Sequence, residues 1–189
     1  LMQQNQPFTP IGAGCITYGM LQLGYHGGDM IHLIFIEERQ NDFLEMLMHH
    51  FSSVSLIGSM IFSNGMTVGC AIAFLHDIAD ITAALTKYYG QTRNDLGAAM
   101  WMIVNMIVWG YTRLMVLPYL IYVIFTTFEY RKDFIAYQPI TYISGFFLCV
   151  MFFLHAYWYK IFCVMIYKAV KTGKSEDLQN KIQSTKKQN

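Results

Sequence analysis

The sequence predicts an all-α integral membrane protein, a helical bundle with about five transmembrane helices. Three observations carry this. Of 189 residues, 54% are hydrophobic and only 13% are charged, about half the ~25% of an ordinary soluble domain. The apolar residues gather into five stretches of about 20 residues or more, the length a helix needs to cross ~30 Å of hydrocarbon. Those stretches are apolar all round rather than alternating, which selects helices over barrel strands.

Residues 1–9 form a polar N-terminal segment, and because Leu1 is not an initiator the sequence leads one to expect more chain upstream. The membrane domain covers residues 10–167. Its first stretch, from about Pro10 to Ile36, is the weakest, being interrupted by Gly24, His26, Gly27, Gly28, Asp29 and His32. The second runs from Phe43 to Phe62, and Ser63-Asn64-Gly65 then reads as a turn. The third runs from Met66 to Tyr88. The fourth, from Leu96 to Phe125, holds Arg113 and Pro118, and the fifth spans Ile140 to Tyr167. Residues 168–189 form a polar tail that leaves the membrane.

Charge sets the orientation and removes one class of partner. The net charge is +1, with no basic run interleaved with aromatics, so nucleic acid is excluded. Threading five spans puts Arg39, Lys87, Arg93 and six tail lysines on one side, against Arg131 and Lys132 on the other. The positive-inside rule then places the C-terminus in the cytosol, or in the matrix of a mitochondrial inner membrane. Cys15, Cys70, Cys149 and Cys163 are scattered through apolar stretches and read as core thiols.

The chemistry concentrates in the second and third stretches. His49 lies about fifteen residues before the turn and Asp80 about fifteen after it, so helical rise sets both about 23 Å from it, at one depth. His76 and Asp80 are four apart and Asp77 and Asp80 three apart, which gives them one side of the third helix. An ionisable group at the centre of a spanning helix costs about 2.5–3.5 kcal/mol on insertion scales. Two explanations stay open: a His–Asp hydrogen-bond network that pins the hairpin, or acid–base or nucleophilic chemistry on imidazoles oriented by carboxylates. A metal is not expected: the chain has six histidines, without the HxxxH and HxxHH clusters of membrane di-iron enzymes. No cofactor is expected either. His26, Asp29 and His32 share a helix face by spacing, which would extend the polar cavity onto the first helix. Arg113 is a partner for a helix carboxylate or for a phosphate.

The run from His49 to Lys87 resembles the signature motif of the ceramide synthase branch of the TLC-domain family. The His49-His50 pair, Leu56, Asn64, Gly69, Leu75, His76, Asp77, Asp80 and Lys87 fall where that motif places them, without a gap. Tyr111-Thr112-Arg113-Leu114 with Pro118, and Leu154-His155 with Trp158, resemble two further family segments. The resemblance implies a TLC helical bundle that transfers a fatty acyl group from acyl-CoA to the amine of a sphingoid base. Acyl-CoA would be a substrate, membrane lipids the surroundings, and the endoplasmic reticulum the membrane. By position, His49 and His50 would accept the acyl group or act as base, and His76, Asp77 and Asp80 would orient and polarise them. Asn64, Arg113, His155 and Trp158 would bind substrate. The motif departs from the family at Met60-Ile61, Thr67 and Ala83-Ala84. These departures motivate an alternative: a non-catalytic structural or lipid-binding subunit of a larger membrane complex, such as a mitochondrial inner-membrane assembly. A homodimer is the other assembly the chain would form.

Overall fold

The computed structural model describes residues 10–39, 41–63, 65–92, 94–129 and 138–172, and among them every regular element is a helix. The helices are α1 (Ala13–Phe35), α2 (Phe43–Phe62), α3 (Met66–Gln91), α4 (Asp95–Trp109), α5 (Leu117–Glu129) and α6 (Gln138–Thr172). Helix α6 therefore runs a few residues past the expected tail boundary. The 1–9 segment, the tail beyond Thr172, Arg93, Arg131, Lys132 and the site candidate Asn64 lie outside the described residues.

Local chemistry explains the breaks. Between α2 and α3 the Gly65 amide reaches back to the Met60 carbonyl at 2.8 Å, closing the turn at the expected place. The Asn94 side chain caps α4 by accepting from the Gly97 amide at 2.9 Å. Pro139 occupies the first turn of α6, where a missing N–H costs nothing. The fourth stretch forms one continuous span, but α4 and α5 are joined by a π-helical segment, Gly110–Val116. Pro118 is the physical cause: it has no N–H to give Leu114, and its ring crowds that carbonyl. The wider register relieves both problems, and the Leu117 amide bonds the Thr112 carbonyl five residues back.

Three helical segments are long and apolar enough to cross a membrane by length and composition: Met66–Gln91, Leu96–Thr126 and Pro139–Lys168. Only 11%, 22% and 28% of their most apolar windows are buried within the protein. Apolar surface on that scale is stable against lipid, not water. The expected count of about five is not reached by this measure. Helices α1 and α2 have 23 and 20 residues, but α1 carries His26, Asp29 and His32, and α2 carries Glu45, two histidines and a set of serines.

Polar side chains of α1 and α2 turn inward at Gln22, His26, His49, His50 and Ser53, while His32 stays exposed. Helix α1 packs on α2 and α3, α3 on α4, and α2 on α6. One core cluster joins Ile72, Leu117 and Leu148; a second joins Ala79, Trp109 and Trp158. Hydrogen bonds tie the helices where backbones approach: Ser59 to Ser144 at 2.8 Å across α2 and α6, and the Thr82 hydroxyl to the Asn105 carbonyl oxygen at 2.8 Å across α3 and α4. In a bilayer such bonds each contribute about 0.6 to 2 kcal/mol.

Candidate active site between the first three helices

A pocket opens between α1, α2, α3 and α6, holding about 640 Å³ of space when its mouth is counted. Its polar wall is Gln22 and His26 from α1, His49 and Ser53 from α2, and His76, Asp77 and Asp80 from α3. Leu56, Ile57 and Met60 continue the α2 side, and Gly69, Ile72 and Ala73 the α3 side, with Leu148 and Met151 of α6 facing them. His49 and Asp80 thus line one pocket, with His76 one turn from Asp80 on the same wall.

The carboxylates do not partner the imidazoles. Asp80 pairs with the guanidinium of Arg113, which also donates to the His76 carbonyl at 2.9 Å and to His155 Nε2 at 2.7 Å. Asp77 accepts from the Tyr18 hydroxyl and from Gln22 Nε2, the latter at 2.7 Å. Among the described residues no hydrogen bond joins either carboxylate to His49, His50 or His76, so the expected His–Asp network across the hairpin is replaced by two separate ones. The reason is geometric. The π segment delivers Arg113 (1% exposed) against α3, and a cation with five donors takes the nearest carboxylate.

That leaves the imidazoles with one another. The rings of His49 and His50 lie 5.4 Å apart, and His26 sits 5.8 Å from the first and 5.6 Å from the second. His26 Nδ1 and His50 Nδ1 are 3.4 Å apart. These three side chains are also the group whose nitrogens are spaced to hold a metal ion. His76 has its tautomer set: Nδ1 bonds the Ile72 carbonyl at 2.8 Å and must donate, because a carbonyl only accepts. Its Nε2 is then the lone-pair nitrogen of the neutral ring. That atom and His49 Nδ1 are buried without a hydrogen-bond partner.

His155 and Trp158 stand behind the pocket instead of on its wall. His155 is 0% exposed between Arg113 and Trp109, whose indole N–H donates to the His155 carbonyl at 3.3 Å. Trp158 packs its ring 5.4 Å from that of His49. Arg113 lies over the Trp109 face at 4.1 Å, a cation–π contact in a dry setting. Of the first-helix trio, His26 alone lines the pocket, while His32 lies beside Glu37 at 3.9 Å. Tyr18, Gln22 and Ser53 were not singled out by the sequence; the i, i+4 spacing of Tyr18, Gln22 and His26 in an apolar helix is the signal that could have found the first two.

The family model for the TLC domain matches residues 2–164. The chain belongs to the TLC-domain family. Ceramide synthase 4 of Bos taurus is 27% identical over 92% of this chain and 43% of its own length. ASC1-like protein 3 of Oryza sativa subsp. japonica is 31% identical over 81% of this chain and 55% of its own. Ceramide synthase hyl-2 of Caenorhabditis elegans is 29% identical over 61% of this chain and 35% of its own. The chain spans about half the length of the first two and about a third of the last. No solved structure matches it. This TLC domain therefore sits in the ceramide synthase branch, with His26, His49, His76, Asp77 and Asp80 gathered on one pocket.

Proposed function

We propose that this TLC domain carries a ceramide synthase-like N-acyltransferase site, moving a fatty acyl group from acyl-CoA to the amine of a sphingoid base in the endoplasmic reticulum membrane. One observation carries the reading: His49 Nδ1 and His76 Nε2, buried without partners, belong to residues on opposing walls of one pocket. The amine attacks the thioester carbonyl, the C–N bond forms and the C–S bond breaks. An imidazole takes the amine proton and returns it to the departing CoA sulfur. In a two-step variant His49 first accepts the acyl group itself. Asp80 acts through Arg113, holding the frame behind the imidazoles.

The shape of the pocket supports a lipid chain. From His49 to Met60 on α2, and from Asp80 back to Gly69 on α3, the lining extends about 16 Å by helical rise. That is close to half of the ~30 Å hydrocarbon core, the depth one acyl chain fills. We infer too that α1 and α2 cross the bilayer, making five spans, because Gln22, His26, His49 and Ser53 face this pocket while Leu21, Ile31, Leu44 and Phe62 face outward.

The test is turnover. Purified protein in detergent converts acyl-CoA and sphinganine to N-acyl sphinganine, and both His49→Ala and His76→Ala lower turnover by about 10²–10⁴-fold while the protein stays folded. Full activity in both variants overturns the assignment. The departures at Ile61, Thr67 and Ala84 favour a second reading, a non-catalytic subunit of a larger membrane assembly. Stable co-purification with such an assembly, without turnover, would establish it.

A further inference from the structure

The cluster formed by His26, His49 and His50 sets two further imidazoles against the one that acyl transfer uses. We propose that it is a transition-metal site, of the kind that takes Zn²⁺, and that metal bound there switches the acyltransferase site off.

The geometry is close to a metal's own. In a tetrahedral zinc site with Zn–N bonds of about 2.0–2.1 Å, two ligand nitrogens stand about 3.3–3.4 Å apart. His26 Nδ1 and His50 Nδ1 are already 3.4 Å apart. One nitrogen from each of the three residues lies within 4.8 Å of the others, so no pair needs to close by more than about 1.4 Å, a side-chain adjustment. Three histidines with a free fourth position form a ligand set that zinc uses readily. Two rings facing each other through Nδ1 share a single hydrogen-bonding proton, and a metal replaces it by binding both lone pairs.

The charges around the cluster are of both signs. The carboxylates of Asp29 and Asp77 act electrostatically on His26, as does the Arg113 guanidinium, whose charge Asp80 already balances. His26 and His49 line the pocket, which gives an ion a path in. An ion here withdraws the lone pair of His49 from the reaction and stands where the polar end of a substrate would sit. The binding half of the proposal is independent of the acyl-transfer reading; the switching half rests on it.

The experiment uses the full chain, stripped with a chelator in detergent and titrated with Co²⁺ and then Zn²⁺. The expected result is one Co²⁺ per chain, with the intense visible bands of tetrahedral cobalt, displaced by Zn²⁺. His26→Gln weakens binding by about 100-fold or more, beyond what loss of a supporting partner alone produces. His32→Ala leaves it unchanged. Absence of stoichiometric binding, or binding equal in His26→Gln and wild type, overturns the site. In the acyl-transfer assay, added Zn²⁺ inhibits and chelator restores activity. Activity indifferent to bound Zn²⁺ overturns the switch, whereas an absence of turnover in both metal-free and metal-loaded protein overturns the acyltransferase reading and leaves the site standing.

Discussion

Arg113 donates to His155 Nε2 at 2.7 Å, and this one contact settles the state of a histidine 42 residues further along the chain. A guanidinium has donors only, so His155 Nε2 must carry the lone pair and the proton must sit on Nδ1. His155 is therefore a neutral acceptor that helps position a buried cation. Arg113 in turn holds the His76 carbonyl and Asp80, so α3, α6 and the π segment between α4 and α5 meet on one side chain.

Removing that cation should cost more than any single contact suggests. Arg113→Met leaves the buried His155 Nε2 without its donor and Asp80 without its cation, and we expect a loss of about 1–3 kcal/mol. Asp80→Asn strands the guanidinium instead. Because each variant removes the same interaction, the double variant should fall short of the sum of the singles by about 0.5–3 kcal/mol. Thermal unfolding in detergent gives the cycle, and strict additivity would contradict the shared network.

The tautomer of His155 makes a sharper prediction. Gln presents a carbonyl oxygen near the place of Nε2 and can accept from Arg113, while Phe keeps the ring shape and offers nothing. His155→Gln should thus stay within about 1 kcal/mol of wild type. His155→Phe should lose about 1–3 kcal/mol, the cost of an unsatisfied buried donor. If Phe proves the milder change, ring packing and not the hydrogen bond is what the position requires.

How far the sequence could reach follows from sequence distance. That His49 and Asp80 line one pocket was readable because α2 and α3 form a local hairpin, where counting from Gly65 gives depth directly. Arg113 with Asp80 was one of two options, since a lone cation in an apolar stretch announces a partner without naming it. The arrival of His26, Tyr18 and Gln22 was harder, because how α1 docks depends on packing along its whole length. The π segment was not read at all: Pro118 signals a disturbed helix, but a kink and a widened register both answer its missing N–H, and the sequence does not choose between them.

The histidine pair should divide in function. His49 lines the pocket and has a buried, unpartnered Nδ1, whereas His50 is 6% exposed, lies off the pocket wall and meets His26. A proton-transfer group contributes about 10²–10⁴-fold, so His49→Ala should lower kcat by that amount. His50→Ala should lower it by about tenfold or less, through loosened positioning of its neighbour. Initial rates with saturating sphinganine decide between them. A larger loss in His50→Ala would reverse the assignment.

Two glycines in the helices should respond oppositely to the same methyl group. A Cβ at Gly24 meets nothing within 4 Å, so Gly24→Ala collects the helix-propensity gain of about 0.5–1 kcal/mol with no packing penalty. A Cβ at Gly145 would lie 2.2 Å from Phe125 Cζ and 3.0 Å from a second ring atom, where α5 and α6 touch. A phenyl ring is stiff, and forcing it aside costs about 1–3 kcal/mol, which outweighs the same propensity gain. Gly24→Ala should raise the melting temperature and Gly145→Ala should lower it. Shifts of the same sign would mean that Phe125 has room to move, and that the α5–α6 contact is looser than its spacing implies.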